Sequence, residues 1–213
     1  NKIYQNINES KNIGDIYHFT SLSSVLNILI SNALHPSEDS THIVKDMPSI
    51  KDHMYYISFT RNKNLYKMDF ELGENQKAVR IKLDGTKLSM KYKFITIDEF
   101  YDTPGMNTNY ESEERLIFKT RKGYYQDNKD YYILKNIDKY ILGIDINKEH
   151  LKKHGLVPST IKKILEYKGD RPKFQKIVDT YKNLKDNSIE EKFDFIKKGI
   201  LDIIDKDIPV NLF

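Results

Sequence analysis

The sequence predicts an α+β fold, with a β-rich body over residues 1–146 and a helical extension over residues 147–213. Three observations carry that expectation. Tyr55–Thr60 (YYISFT) is a run of aromatic and β-branched residues, which suits a pleated, half-buried strand. Residues 78–83 alternate, with Val79, Ile81 and Leu83 on one face and Arg80 and Lys82 on the other, the period-two pattern of a half-exposed strand. After Asn147 the apolar spacing becomes helical, as in Ile161, Ile164 and Leu165, and again in Phe193, Ile196, Ile200 and Ile203.

The elements follow in order. Residues 1–13 are polar and expected to be extended. Residues 16–20 read as a strand, and Leu22, Val25, Leu26 and Leu29 as a helix capped by Thr20 or Ser21. Residues 35–53, with Pro36 and Pro48, form a long aperiodic stretch of the kind used as a functional lid. Strands are expected over 78–83 (ended by an Asp84-Gly85 turn), 92–97, 114–119, 131–134 and 140–146, with a loop over 101–110. Helices are expected over 149–153, 159–167 (Ser159 as N-cap), 172–184 (Pro172 in the first turn) and Ile189–Ile204, where Gly199 weakens the last.

Composition narrows the function classes. Charged residues of both signs make up 31% and hydrophobic residues 38%, which describes a globular chain. There is no cysteine, so thiolate catalysis, thiolate metal ligation and disulfides are excluded. No apolar run approaches the roughly 18–20 residues that span a bilayer. A cytoplasmic location without membrane contact is therefore expected. The chain starts at Asn1 with no signal pattern, which implies a processed or trimmed N-terminus. The net charge of +4 is carried by residues 147–213. There Lys162, Lys163, Lys168, Arg171 and Lys173 form either a solvated surface or a contact to a nucleic-acid backbone. The apolar stripes of the helices are a packing surface for the body or for a partner. No metal is expected, because the helical pair His150 and His154 lacks the Glu of a metalloprotease motif. A glycine-rich phosphate loop and a serine nucleophile elbow are both missing from the sequence.

Three segments carry candidate chemistry. Tyr17-His18-Phe19-Thr20 places His18 and Thr20 on one strand face, where both can hydrogen-bond a ribose or an amide. Tyr55–Thr60 continues into Arg61-Asn62, with Ser58 and Thr60 sharing a face. Tyr110-Glu111-Ser112-Glu113-Glu114-Arg115 crowds three carboxylates at the mouth of an apolar strand, which can raise a carboxylate pKa or aim it at a substrate. Read as structure alone, the same segments are a strand-end histidine, a polar strand face and a charged turn with Arg115 as counter-ion.

In this order the segments resemble the ADP-ribosyltransferase superfamily over roughly residues 16–146. The opening YHFTSLSSVLNIL, the strand and turn YISFTRNKNLY, and a Glu ahead of Leu116-Ile117-Phe118 are similar to DNA-base-modifying ADP-ribosyltransferase toxins and related phage-encoded proteins. Lys63 and Asn64 stand where those toxins commonly carry proline and methionine. The resemblance implies a split β-sheet body and NAD as the substrate that donates ADP-ribose. The acceptor would be a macromolecule, protein or nucleic acid, in a host cytoplasm or a virion. It implies that His18, Phe19 and Thr20 contact NAD, and that Ser58 and Thr60 shape the nicotinamide pocket. Tyr56, Phe59 or Tyr66 would stack on the ring, and Arg61 would neutralise the pyrophosphate.

A glutamate would stabilise the positive charge developing on the ribose. The apolar run that follows favours Glu114 in that role. A Glu-x-Glu reading favours Glu113, with Glu111 orienting the acceptor. Alternation puts Glu111 and Glu113 on one face and Glu114 on the face of Leu116, normally core, which tilts the sequence reading to Glu113. Two alternatives remain at this level: a noncatalytic descendant of the fold serving as a binding or virion-associated module, and an RNA 2′-phosphotransferase.

Overall fold

The computed structural model describes residues 13–36, 55–65, 74–97, 113–118, 133–154 and 188–213. The expectations for Tyr66, for Glu111, for the loop over 101–110, and for the helices over 159–167 and 172–184 with their basic cluster lie outside the described residues. So does all but the first part of the long stretch over 35–53.

Seven strands form one sheet in the order β5-β6-β3-β1-β4-β8-β9. They are β1 (Asp15–Thr20), β3 (Tyr55–Thr60), β4 (Val79–Asp84), β5 (Lys93–Ile97), β6 (Glu113–Phe118), β8 (Ile141–Ile146) and β9 (Val210–Leu212). All pairings are antiparallel except β8 with β9. A separate two-stranded ribbon joins β2 (Ala33–Leu34) to β7 (Leu134–Lys135). The helices are α1 (Leu22–Ser31), α2 (Gly85–Ser89), α3 (Lys148–His154) and α4 (Ile189–Ile204). The fold is thus mixed α+β, with a mostly antiparallel sheet and a C-terminal helix.

The period-two pattern sorts the sheet into two faces. Ile16, Ile57, Phe59, Val79, Ile81, Leu83, Leu116, Ile144 and Ile146 project from one face into the core, all almost fully buried. Leu22, Val25, Leu26 and Leu29 of α1 and Ile196, Ile200 and Ile203 of α4 belong to the same core. Each fully buried isoleucine or leucine contributes about 1.5–3 kcal/mol. The other face carries Tyr17, Arg80, Lys82, Asp145 and Asn211, linked side chain to side chain across the strands.

Local chemistry explains the helix boundaries. Ser21 is the cap of α1: its Oγ accepts from the Ser24 N–H at 3.0 Å. Asn32 ends α1 in the left-handed region at φ 50°, and its Oδ1 accepts from the Asp138 N–H at 3.0 Å, which ties the helix end to the turn Ile137–Lys139. Ser188 and Glu191 form a reciprocal capping box at the start of α4. Gly199 does not break α4. It is buried beside Ile196 and Ile200, and that packing outweighs the roughly 1 kcal/mol preference for Ala in a helix interior.

Two features differ from the sequence expectation. Asp84-Gly85 does not make a simple turn; Asp84 caps α2 by accepting from the Lys87 N–H at 2.8 Å. The strand β9 was not expected, since three residues after Pro209 carry too little pattern to register. It aligns Val210 with Ile144 and Leu212 with Ile146. Residues 188–213 therefore supply a strand to the sheet and a helix to the core of the body.

Strand pairing is uneven. β1 matches β4 over six residue pairs, and β3 matches β6 over six. β1 and β3, at the centre of the sheet, share a single registered pair, Tyr17 with Thr60. The ladder is thus interrupted at its middle seam.

Gly85 donates its N–H to the Gly14 carbonyl at 2.9 Å, and a Cβ at Gly85 would lie 2.6 Å from that same oxygen. Backbone on backbone leaves no flexible group to yield. Gly85→Ala is expected to destabilise the fold by about 1–3 kcal/mol, read from the urea unfolding midpoint.

Candidate functional site at the β1, β3 and β6 seam

The residues singled out from sequence lie on β1, β3 and β6, but alternation divides them between the two faces. His18, Thr20, Phe59 and Glu114 are on the core face, as the register of β1 with β4 and of β3 with β6 requires. Phe19, Tyr56, Ser58, Thr60 and Glu113 are on the opposite, polar face. Two clusters result, one on each side of the sheet.

On the core face, His18 Nδ1 lies 3.2 Å from the Ser58 carbonyl oxygen. A carbonyl only accepts, so Nδ1 carries the proton and donates it. This bond takes up backbone exposed at the interrupted β1–β3 seam. In the neutral ring the lone pair is then at Nε2, which can accept from a hydroxyl or an amide. The imidazole packs edge-on against Phe59 at 5.9 Å between centroids, and Phe59 in turn packs against Phe94 at 6.1 Å. Phe94 was not anticipated from sequence; only its register opposite Leu116 brings it here.

Phe59 is directly opposite Glu114 on β6. Glu114 is buried, and its Oε1 accepts an ion-paired contact from Arg61 Nε at 3.0 Å. His18 and Glu114 thus flank Phe59 on one face. Thr20 is buried on the same face, 6% exposed.

On the polar face the chemistry is closed. Arg115 donates from Nε and Nη2 to the two oxygens of Glu113 at 2.8 and 2.9 Å, a bidentate fork. Ser58 Oγ donates to the same carboxylate. The Arg115 guanidinium lies over the Tyr56 ring at 4.2 Å from its centroid. Glu113 is thereby held by two partners on the side of the sheet away from His18.

The turn after β3 is fixed from several directions. Thr60 Oγ1 accepts from the Asn62 N–H, and Asn62 Oδ1 from the Asn64 N–H, both at 2.9 Å. Arg80 Nη1 donates to the Lys63 carbonyl. Arg80 is itself held by Asp145 Oδ2 at 3.0 and 2.8 Å, with its guanidinium over Tyr17 and over Phe213. Alternation made Arg80 visible as a polar-face residue, but nothing in the sequence pairs it with Asp145 or the turn.

Among the described residues no group of three His, Asp or Glu side chains is placed to hold a metal ion. The rings of His150 and His154 lie tilted against each other, 4.6 Å between centroids, on α3. No protein-family model, no curated protein and no solved structure matches the chain. No helix among the described residues is long and apolar enough to cross a membrane.

Burial holds the His18 pKa below its ordinary 6.5, and the bond to the Ser58 carbonyl opposes that fall. Below pH 6.5 the unfolded chain takes up a proton that the folded chain resists. Stability from neutral His18 is therefore present above that pH and declines as pH falls through it. The loss in urea midpoint between about pH 7.5 and about pH 5.5 is expected to be smaller in His18→Gln than in the parent.

Proposed function

We propose that this chain transfers ADP-ribose from NAD to a macromolecular acceptor, with Glu114 as the carboxylate that faces the reacting ribose. The observation that supports this most is the joint placement of His18 and Glu114 beside Phe59, on one face of the interrupted seam between β1 and β3. The parted pairing is what the split sheet of the ADP-ribosyltransferase superfamily requires, and the segment order along the chain agrees with it.

NAD supplies a ribose carbon whose bond to nicotinamide breaks with the electron pair leaving on nicotinamide. The acceptor nucleophile then bonds that carbon and gives up a proton. The chain's own residues suit the binding of such a molecule. His18 offers Nε2 as an acceptor for a sugar hydroxyl, with its tautomer fixed by Ser58. Phe59, edge-on to His18, supplies an apolar wall. Arg61 carries a guanidinium suited to a diphosphate. Glu114, desolvated on the core face, holds a fixed negative charge where water cannot screen it, which strengthens its action on a nearby developing cation.

Burial on the core face favours Glu114 over Glu113 for this role. Glu113 is on the far face and saturated by Arg115 and Ser58, so it serves to brace β3 against β6. A second reading draws on the same pairings: both carboxylates have an arginine partner, which also suits a noncatalytic module. The acceptor, protein or nucleic acid, follows from neither reading.

Nicotinamide release from NAD by the purified chain decides between them. The parent is expected to release nicotinamide, and Glu114→Gln to lose about a hundredfold or more of that rate. Glu113→Gln is expected to retain release while unfolding at a lower urea concentration. Absence of release from the parent, with no NAD binding by calorimetry, sinks the transferase reading and leaves the binding module.

A further inference from the structure

We propose that His150 and His154 of α3 form a two-imidazole chelate for a late first-row transition metal ion, copper(II) before the others. The site is independent of the reading of Glu114, since α3 carries none of the residues at the seam. The two histidines are four positions apart, so they lie one turn above the other on one face of the helix. Their rings are already apposed, with 4.6 Å between centroids and 35° between planes. A metal about 2.0 Å from one nitrogen of each ring sets the ring centres about 4.5 Å apart at a right angle, and about 5.2 Å apart at a tetrahedral angle. The observed separation fits the right angle of square-planar or octahedral coordination.

The scaffold is fixed before a metal arrives. Asn147 precedes α3, and its Oδ1 accepts from the N–H groups of Glu149 and His150 at 3.0 and 3.2 Å. Its Nδ2 donates to the Lys77 carbonyl at 3.0 Å. The Lys148 N–H donates to the Phe213 carbonyl at 2.9 Å, and the fully buried Leu151 pins the helix to the core. His150 is half-buried and His154 exposed, so an ion can reach the pair from solvent. Little ordering is left to oppose binding.

The donor set names the metal. Neutral imidazoles suit copper, nickel and zinc, whereas calcium and magnesium take oxygen ligands. No third His, Asp or Glu among the described residues joins the pair, which is short of the four protein ligands of a structural zinc site. Copper(II) binds nitrogen donors most tightly of the divalent series and prefers the right angle. The glutamate missing from this pair denies it the general base of a metalloprotease, not chelation. A metal takes one nitrogen from each ring and leaves the other for a hydrogen bond.

The test is calorimetric titration of the full chain with copper(II), followed by electron paramagnetic resonance of the loaded protein. The tightest binding step is expected to weaken about tenfold or more in His154→Gln, because two linked donors become one. His150→Gln is expected to cost about as much, and the double variant little more than either, since each single change already abolishes the chelate. Because His150 is half-buried, a third variant guards against loss of the helix. Lys152→His with His154→Lys alters only exposed positions and keeps the number of histidines, but breaks their spacing. It is expected to bind as weakly as the single variants and to lose one of the two nitrogen couplings in the spectrum. A smaller loss in this exchange variant, or a parent that binds no copper(II), overturns the proposal.

Discussion

Glu114 stands where strand alternation calls for a hydrophobic side chain, opposite Phe59 and two residues before the fully buried Leu116. A carboxylate there loses its hydration and has to recover it from a fixed cation. Arg61 supplies such a cation, its Nε 3.0 Å from Glu114 Oε1. Arg61 follows β3 directly, in a turn whose backbone is held by Thr60, Asn62 and the guanidinium of Arg80. Arg80 in turn is gripped by Asp145, to which Asn211 donates, and its guanidinium lies over the ring of Phe213. The seam is in this way connected, contact by contact, to the last strand of the sheet.

The two faces of the sheet solve different problems. The core face gains stability from apolar burial and tolerates Glu114 and His18 only with compensation: an arginine for one, a backbone carbonyl and a depressed pKa for the other. The polar face is built from ion pairs of unequal worth. Lys82 with Asp15, at 2.6 Å but well exposed on both sides, contributes little in water. Glu113 with Arg115 is mostly shielded and bidentate, and its disruption would take a carboxylate from a buried guanidinium. That difference, more than distance, separates bracing from decoration on this face.

Much of this was legible in the sequence, and the reasons are local. The alternation over residues 78–83 gave the strand, observed at Val79–Asp84, and its faces directly. The spacing of Leu22, Val25, Leu26 and Leu29 gave α1, with Thr20 or Ser21 as its cap, of which Ser21 takes the place. His18, Ser58 and the glutamates were recognisable as candidates because polar groups interrupt apolar runs. What the sequence could not display is which of them meet. His18 and Thr20 share a face, as do Ser58 and Thr60, but whether those two faces coincide depends on the pairing of Tyr17 with Thr60, a contact between distant segments. The same gap hid Phe94, Arg80 and Asp145. The tilt toward Glu113 followed from the rule that the Leu116 face is core; Glu114 is buried on that face with Arg61, in the turn after β3, paired to it. The strand β9 was too short to carry a period, and α2 depended on one side-chain cap.

The strand order has a kinetic side. β1 lies between β3 and β4, β4 meets β8, and β8 meets β9, so neighbours in space are far apart along the chain. Among the described residues no two strands of the large sheet are joined by a tight hairpin. Long loops must close before any of these ladders rewards the closure, which places folding toward the slow end, about milliseconds to seconds, for domains of this kind. During that interval β1, with its neighbours on both sides still absent, is an unpaired strand edge. Synthesis of this protein at high concentration therefore favours edge-to-edge association over native pairing until β3 and β4 have arrived.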